Sequence, residues 1–186
     1  MLVIGITGTL GAGKGTIVEY LVQQKHFRHY SVRAFLIEEI KKRKLEVNRD
    51  NMTWIANELR EKFGPSYITD ALYDRAVQNN HSCVIESIRT PGEIDSLRQK
   101  GPFYLFAVDA EPKLRYKRIL SRASETDKIS YDTFLSNEAR EMRSEDPNKQ
   151  NLAACIAKAD FVFTNNHSLH DLHKQLAETM SLIEKA

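Results

Sequence analysis

Residues 8–16 read Gly-Thr-Leu-Gly-Ala-Gly-Lys-Gly-Thr, and no other stretch restricts the fold as much. The apolar run Leu2-Val3-Ile4-Gly5-Ile6-Thr7 precedes it and has the character of a buried strand. Ile17-Val18-Glu19-Tyr20-Leu21-Val22 follows with the apolar spacing of an amphipathic helix. Strand, glycine-rich loop and helix in that order make a phosphate cradle. Gly8, Gly11, Gly13 and Gly15, with Ala12 between them, let the backbone curl and turn its N–H groups inward, while Lys14 adds a point charge near the outer phosphates. The first turn of the helix supplies further N–H donors and the positive end of a dipole. A triphosphate belongs here. In the usual pattern a hydroxyl residue follows the lysine directly, whereas here Gly15 takes that place and Thr16 comes one residue later.

The rest of the chain alternates short apolar runs with helical periodicity. Residues 27–31 are expected as a second strand, 82–86 as a third, 103–109 as a fourth and 160–164 as a fifth. The fourth is apolar almost throughout and is expected at the centre of a sheet. Helices are expected over 32–44, 52–63, 66–79, 91–97, 112–122, 131–143 and 151–158, with a loop at 123–130. Ser168 and Asp171 form a capping box that starts a last helix. Such a pattern implies an α/β domain, a five-stranded parallel sheet with helices on both faces, and ligands outside the carboxyl ends of the strands. Ser31, Glu86 and Asp109 all fall at that edge. No repeat or linker divides the 186 residues, so a single domain is expected.

Composition narrows the function classes. A net charge of +2 is too small to argue for nucleic acid, so the basic residues matter through their positions. Cys83 and Cys155 are isolated and the six histidines form no ligand pair, which leaves no metal-binding spacing. No run approaches the ~20 apolar residues needed to span a bilayer. With no signal peptide at the N-terminus, a cytoplasmic protein without membrane or nucleic-acid partners is expected.

Three further constellations stand at the expected ligand edge. Glu86-Ser87-Ile88-Arg89 follows the third strand, where a carboxylate orients magnesium-bound water and an arginine forks onto phosphate. Arg115, Arg118 and Arg122 lie at i, i+3 and i+7 on one helical face. Arg140 and Arg143 form a second basic pair on one helical face. A solvated basic face is the alternative meaning of both arginine sets.

The form Gly-x-x-Gly-x-Gly-Lys-Gly-Thr resembles the P-loop of adenylate kinase and its nucleoside monophosphate kinase relatives. The run from Glu86 through Arg89 to Glu93 resembles the acid-x-x-Arg-x-x-x-Glu form of deoxynucleoside monophosphate kinases and animal-type phosphomevalonate kinases. Arg118-Ile-Leu-Ser-Arg122 is similar to the signature that opens the lid of this superfamily, which implies a short lid over about residues 118–143 with Arg140 and Arg143 closing from its far side. Asp160-Phe-Val-Phe-Thr-Asn-Asn-His167 is similar to the last strand and adenine-wrapping loop of dephospho-CoA kinase. This run and Glu58-Leu-Arg-Glu-Lys-Phe-Gly-Pro65 also look like archaeal-type proteins described as dephospho-CoA-kinase-like or adenylate-kinase-like.

The resemblance implies a P-loop NTPase fold and an ATP- and Mg2+-dependent kinase acting on a nucleotide or nucleotide-like acceptor, with dephospho-CoA or a small phosphorylated metabolite as the alternative. It implies Lys14, Glu86, Arg118 and Arg122 as catalytic groups, and Thr16 and Glu86 as metal-serving groups acting through water. Gly8, Gly11, Ala12, Gly13, Lys14, Gly15, Thr16, Asn165 and Asn166 would hold ATP. Ser31, Arg33, Arg89 and Arg140 would hold the acceptor, within a helical region of about residues 32–80. The acceptor region departs from adenylate kinase, because Ala34 and Ile37 replace the aspartate and arginine expected after the second strand. A reading from another class is an ATP-binding regulator that hydrolyses slowly or not at all.

Overall fold

Inner strands that are apolar at every position need cover on both faces of a sheet. The computed structural model describes residues 1–122 and 129–185. Among these residues the strands are β1 (Val3–Gly8), β2 (Arg28–Ser31), β3 (Cys83–Glu86), β4 (Phe103–Asp109) and β5 (Phe161–Thr164). They pair in the order β2-β3-β1-β4-β5, and every pairing is parallel. The middle place goes to β1, with β4 beside it, so the strand expected at the centre is interior but off-centre. The glycine-rich loop thus leaves the sheet at its centre, where flanking strands diverge into a ligand crevice.

The helices are α1 (Lys14–Lys25), α2 (Val32–Lys42), α3 (Arg49–Phe63), α4 (Tyr67–Val77), α5 (Pro91–Gln99), α6 (Pro112–Arg122), α7 (Tyr131–Met142), α8 (Leu152–Ala157) and α9 (Leu169–Ile183). Successive strand side chains point to opposite faces, and two cores follow from this. Val3, Cys83, Ile85 and Leu105 pack with Leu36, Ile55, Leu72, Ile94 and Cys155 from α2, α3, α4, α5 and α8. Ile4, Ile6, Val84 and Phe106 pack on the other face with Ile17 and Leu21 of α1 and Leu176 and Met180 of α9. Each fully buried Ile or Leu contributes about 1.5–3 kcal/mol to this three-layer arrangement. Burial pushes the thiols of Cys83 and Cys155 up to about 11 and about 12, so both serve as small core residues.

Two details bear on the site. α3 begins at Arg49 and not at residue 52, because the Asn48 side chain accepts from the Asn51 N–H at 2.8 Å and caps the helix early. The extra residues bring Arg49 into the first turn. The loop expected at 123–130 and the middle of the expected lid fall largely outside the described residues. Its two flanks are joined by the rings of Tyr116, Tyr131 and Phe134, and the Tyr116 hydroxyl donates to Ile129 O at 2.9 Å.

Candidate active site

A cavity of about 590 Å3 opens at the carboxyl end of the sheet, between the loop after β1, helices α2, α3 and α6, and the segment after β3. Its wall at the glycine-rich loop is a matter of backbone geometry. Gly8 has φ of 139°, and a Cβ there would stand 2.1 Å from Val108 O, so only glycine lets β1 turn beside β4. Gly13 caps α1 with φ of 110°, and a Cβ would stand 2.3 Å from Asn165 Nδ2. Lys14 is the first residue of α1, and its Nζ donates to Gly8 O at 2.9 Å and Thr9 O at 2.7 Å. Gly11, Gly13, Lys14, Gly15 and Thr16 line the cavity, whereas Ala12 and Gly8 are buried behind it.

Lys14 is short of compensation. Burial, then the charge of Arg89, pulls its ammonium down to about 7 against the opposing pull of Glu86 and Glu141. A partly buried cation so placed gains from any polyanion that enters. Glu86 stands opposite, at the end of β3. Its Oε1 accepts from Ser31 Oγ at 2.8 Å and lies 3.5 Å from His29 Nε2. Burial raises this carboxyl, but the hydrogen bonds from His29 and Ser31 and the charge of Lys14 hold it below the usual range. Ser31 also caps α2, accepting from Ala34 N at 3.2 Å. It therefore orients Glu86 and starts α2 behind the wall, and does not itself line the cavity expected to hold the acceptor.

Beyond Glu86 the chain kinks at Ser87, whose φ of 67° is unusual outside glycine. The kink delivers Arg89, whose Nη1 meets Glu141 Oε2 at 3.1 Å. Arg49 holds the other oxygen of the same carboxylate. Burial pushes the Glu141 carboxyl up, and the charges of Arg89 and Arg49 bring it below its ordinary value. Underneath lies a second pair, Arg60 with Glu93 at 3.0 Å, both inaccessible to solvent. Glu93 also accepts from the backbone N–H of Arg89 at 2.7 Å and closes a capping box with Thr90, so one carboxylate fixes α3, α5 and the arginine loop. Arg33 lines the cavity mouth, exposed on α2.

Several buried polar atoms on this wall have no partner among the described residues: Arg49 Nε, Arg60 Nη1, Arg118 Nη1 and Gln150 Oε1. Native proteins rarely leave such groups unmet, and the three guanidinium nitrogens are donors that suit a ligand with acceptor oxygens, whereas Gln150 Oε1 is itself an acceptor. Thr16 and Glu86 offer a hydroxyl and a carboxylate for a cation, while no group of three His, Cys, Asp or Glu residues able to hold a metal exists among the described residues. That donor set fits magnesium, which keeps several waters and takes other oxygens from phosphates.

The arginine stripe divides. Arg118 and Arg122 line the cavity. Arg118 Nη2 donates to Asn165 O at 2.9 Å, which ties α6 to the loop after β5. Arg115 shares their helical face, but that face packs against the protein at its first turn. Buried, Arg115 donates to Ala110 O at 2.6 Å and to Leu10 O at 3.3 Å, pairs with Glu138 of α7 and stacks on Phe134. Arg140 is a correction to the sequence reading. It lies outside the cavity, exposed, 3.6 Å from Asp50, as Arg143 also faces solvent. α7 turns residues 134, 138 and 141 inward, and a residue next to 141 is rotated ~100° away from that face. The asparagines are positioning residues. Asn165 Nδ2 donates to Ala12 O at 2.8 Å, and Asn166 Oδ1 accepts from Glu111 N at 2.8 Å, so their side chains fasten the loop after β5 and do not line the cavity.

Glu141, Arg49, Arg60, Gln150 and His29 were not singled out by sequence reasoning. One signal was present: Arg49, Thr53, Ala56 and Arg60 recur at i, i+4, i+7 and i+11, and all four line the cavity.

The chain is similar to known proteins in sequence and in fold. The AAA domain family (AAA_18) matches residues 4–147. A UPF0200 protein of Methanocaldococcus jannaschii is 31% identical over 95% of this chain and 87% of its own, and one of Methanococcus maripaludis is 28% identical over the full length of both. Among solved structures, TT1252 from Thermus thermophilus superposes with a TM-score of 0.62 at 19% identity, covering 97% of this chain and 96% of its own. Shikimate kinase from Bacteroides thetaiotaomicron gives 0.58 at 12% identity, covering 98% of each chain. The fold is that of the P-loop kinases. With a family match over most of its length and a relative above 30% identity, the chain belongs to the AAA domain family and to the UPF0200 proteins.

Proposed function

We propose that the protein is an ATP- and magnesium-dependent kinase that moves the terminal phosphoryl group of ATP to a small anionic acceptor. One observation carries this reading. One cavity brings together a P-loop lysine, a carboxylate, a partly buried arginine cluster and guanidinium donors that have no partner among the described residues. Phosphoryl transfer needs positioning and charge neutralisation more than covalent chemistry, and these are what such a wall supplies. Neighbours named as shikimate kinase, gluconokinase and sugar kinase support a small-molecule acceptor.

In this reading the loop N–H groups and Lys14 hold the donor phosphates. Lys14 exchanges its two backbone carbonyl partners for phosphate oxygens and regains a full charge. Magnesium, when bound, neutralises charge between the donor phosphates. Thr16 and Glu86 hold its oxygens or waters in place, and Ser31 and His29 keep Glu86 ionised and oriented. Arg118, already anchored through one nitrogen, presents the other to the transferring group, with Arg122 beside it. Arg89 holds the acceptor.

Arginines that act chiefly in the transition state separate an enzyme from a binder, because their removal lowers kcat with little effect on ground-state affinity. Arg118→Ala is expected to cost on the order of ten- to a thousandfold in turnover, as for other charge-stabilising donors. ATP affinity by calorimetry is expected to move less than about tenfold, or ~1.4 kcal/mol. Small losses in both quantities that fade with rising salt would mark a solvated basic face and favour an ATP-binding regulator.

A further inference from the structure

Among the described residues, the non-glycine positions with a positive φ are His26, Lys44, Asn80 and Ser87. The first three come just past the ends of α1, α2 and α4, where a left-handed residue closes a helix. Ser87, with φ of 67°, follows strand β3 and has no helix to close. Its neighbours dictate the conformation. Glu86 is in register with Ile6 of β1, and the Ile88 N–H donates to Ile6 O at 3.0 Å. The Ile88 carbonyl accepts from Thr7 Oγ1 at 2.8 Å, and the Ile88 side chain is buried in the core. Two residues fastened to the same stretch of β1 force the one between them to bulge toward the cavity, which Ser87 lines. Glycine would take this place without steric cost, yet the chain has serine.

What serine adds over glycine is a hydroxyl. It makes no hydrogen bond among the described residues, whereas the hydroxyls of Thr7, Thr9 and Ser31 at the same edge of the sheet are all engaged. The segment that carries it is fastened to the end of β1, since Thr7, which holds Ile88, directly precedes Gly8 of the phosphate loop. Glu86, proposed to serve magnesium, is the residue before it. A strained backbone kept at a cavity wall directs attention to what its side chain does there. We propose that Ser87 Oγ donates a hydrogen bond to the terminal phosphoryl group of a nucleoside triphosphate bound in this cavity. This contact rests on the kinase reading and adds to it a residue that the reading leaves without a role.

The test compares two magnesium nucleotides that differ at the terminal phosphate, the β,γ-imido analogue of ATP and ADP, by calorimetry on the whole protein. Ser87→Ala keeps the β-carbon and its backbone cost and removes only the hydroxyl. It is expected to weaken the analogue about tenfold, the scale of one hydrogen bond to a charged group, and ADP by less than about twofold. Ser87→Gly removes the hydroxyl and the strain together. It is expected to show the same selective loss, with a melting temperature no lower than that of wild type. A hydroxyl with a merely structural role would not distinguish the two nucleotides.

An unchanged ratio of analogue to ADP affinity in the two variants overturns the inference. So does an equal loss for both nucleotides, which would mean that residue 87 acts through the shape of its loop. A selective loss in Ser87→Ala that Ser87→Gly does not share would also overturn it, because both variants lack the hydroxyl. Failure of wild type to bind either nucleotide would overturn the kinase reading itself, and shows in the first titration before any variant is made.

Discussion

At the end of the cavity proposed to hold the donor the ligand-facing groups are mainly backbone, whereas at the end proposed to hold the acceptor they are side chains. Gly8 and Gly13 adopt conformations and close approaches that no other residue tolerates, and Lys14 leans on two carbonyls of its own loop. The acceptor end is a lattice of ion pairs, with Glu93 and Glu141 each bridging several donors from distant segments. A backbone cradle recognises a group common to all nucleoside triphosphates and offers few ways to change. Charged side chains on helices can be replaced one at a time. The difference therefore separates what is fixed in such a protein from what sets its specificity.

The comparison breaks most visibly at the buried pair. Arg60→Met leaves Glu93 charged in the core without its counterion, and is expected to destabilise by about 3–5 kcal/mol in denaturant unfolding. Replacing Glu93 by Leu in the same chain removes the orphaned charge and is expected to recover much of that loss, although the capping box with Thr90 goes with it. An equal cost for the single and double variants would mean that the pair is not held as a unit.

Sequence made one end legible and hid the other for the same reason. The donor end lies within residues 8–16, so its spacing could be read directly, and Glu86 followed from the end of a strand. The five strands, the capping box at Ser168 and most helices also followed from local sequence patterns, whereas the order of the strands did not. The acceptor end is assembled by the fold. Arg49 and Glu141 are separated by 92 residues, and no local pattern links them. Arg140 illustrates the limit, since a basic pair on a helix says nothing of which way that helix turns. Arg115 shows it again: a residue in a cationic stripe became the buried tie between Leu10, Glu138 and Phe134.

A smaller effect sharpens the donor side. Lys14 titrates at about 7 in the free protein, held down by burial and by Arg89. Donor phosphates stabilise its charged form, so binding at pH 8 is expected to take up a proton. Affinity for the imido analogue is then expected to fall as pH rises above 7, by up to about tenfold per unit while the bound lysine remains protonated. Calorimetry in buffers of different ionisation enthalpy reads the proton directly. Lys14→Met should lose this lysine-linked uptake. The same linkage acts on stability with a definite sign. An unfolded lysine keeps its proton to pH ~10.4, so between about 7 and 10.4 the unfolded chain binds more protons and the lysine's contribution makes stability rise with pH.

The central claim is that one cavity holds a phosphate donor at its backbone end and an anionic acceptor at its side-chain end. Steady-state kinetics of Lys14→Ala and Arg49→Ala, measured with one acceptor under varied concentrations of each substrate, test it most directly. Lys14→Ala is expected to lower kcat by on the order of a hundredfold or more, with the acceptor KM nearly unchanged. Arg49→Ala is expected to raise the acceptor KM by about tenfold or more and to leave the ATP KM alone. Unchanged turnover in Lys14→Ala, or an Arg49→Ala defect confined to ATP, would contradict the division of the cavity into these two ends.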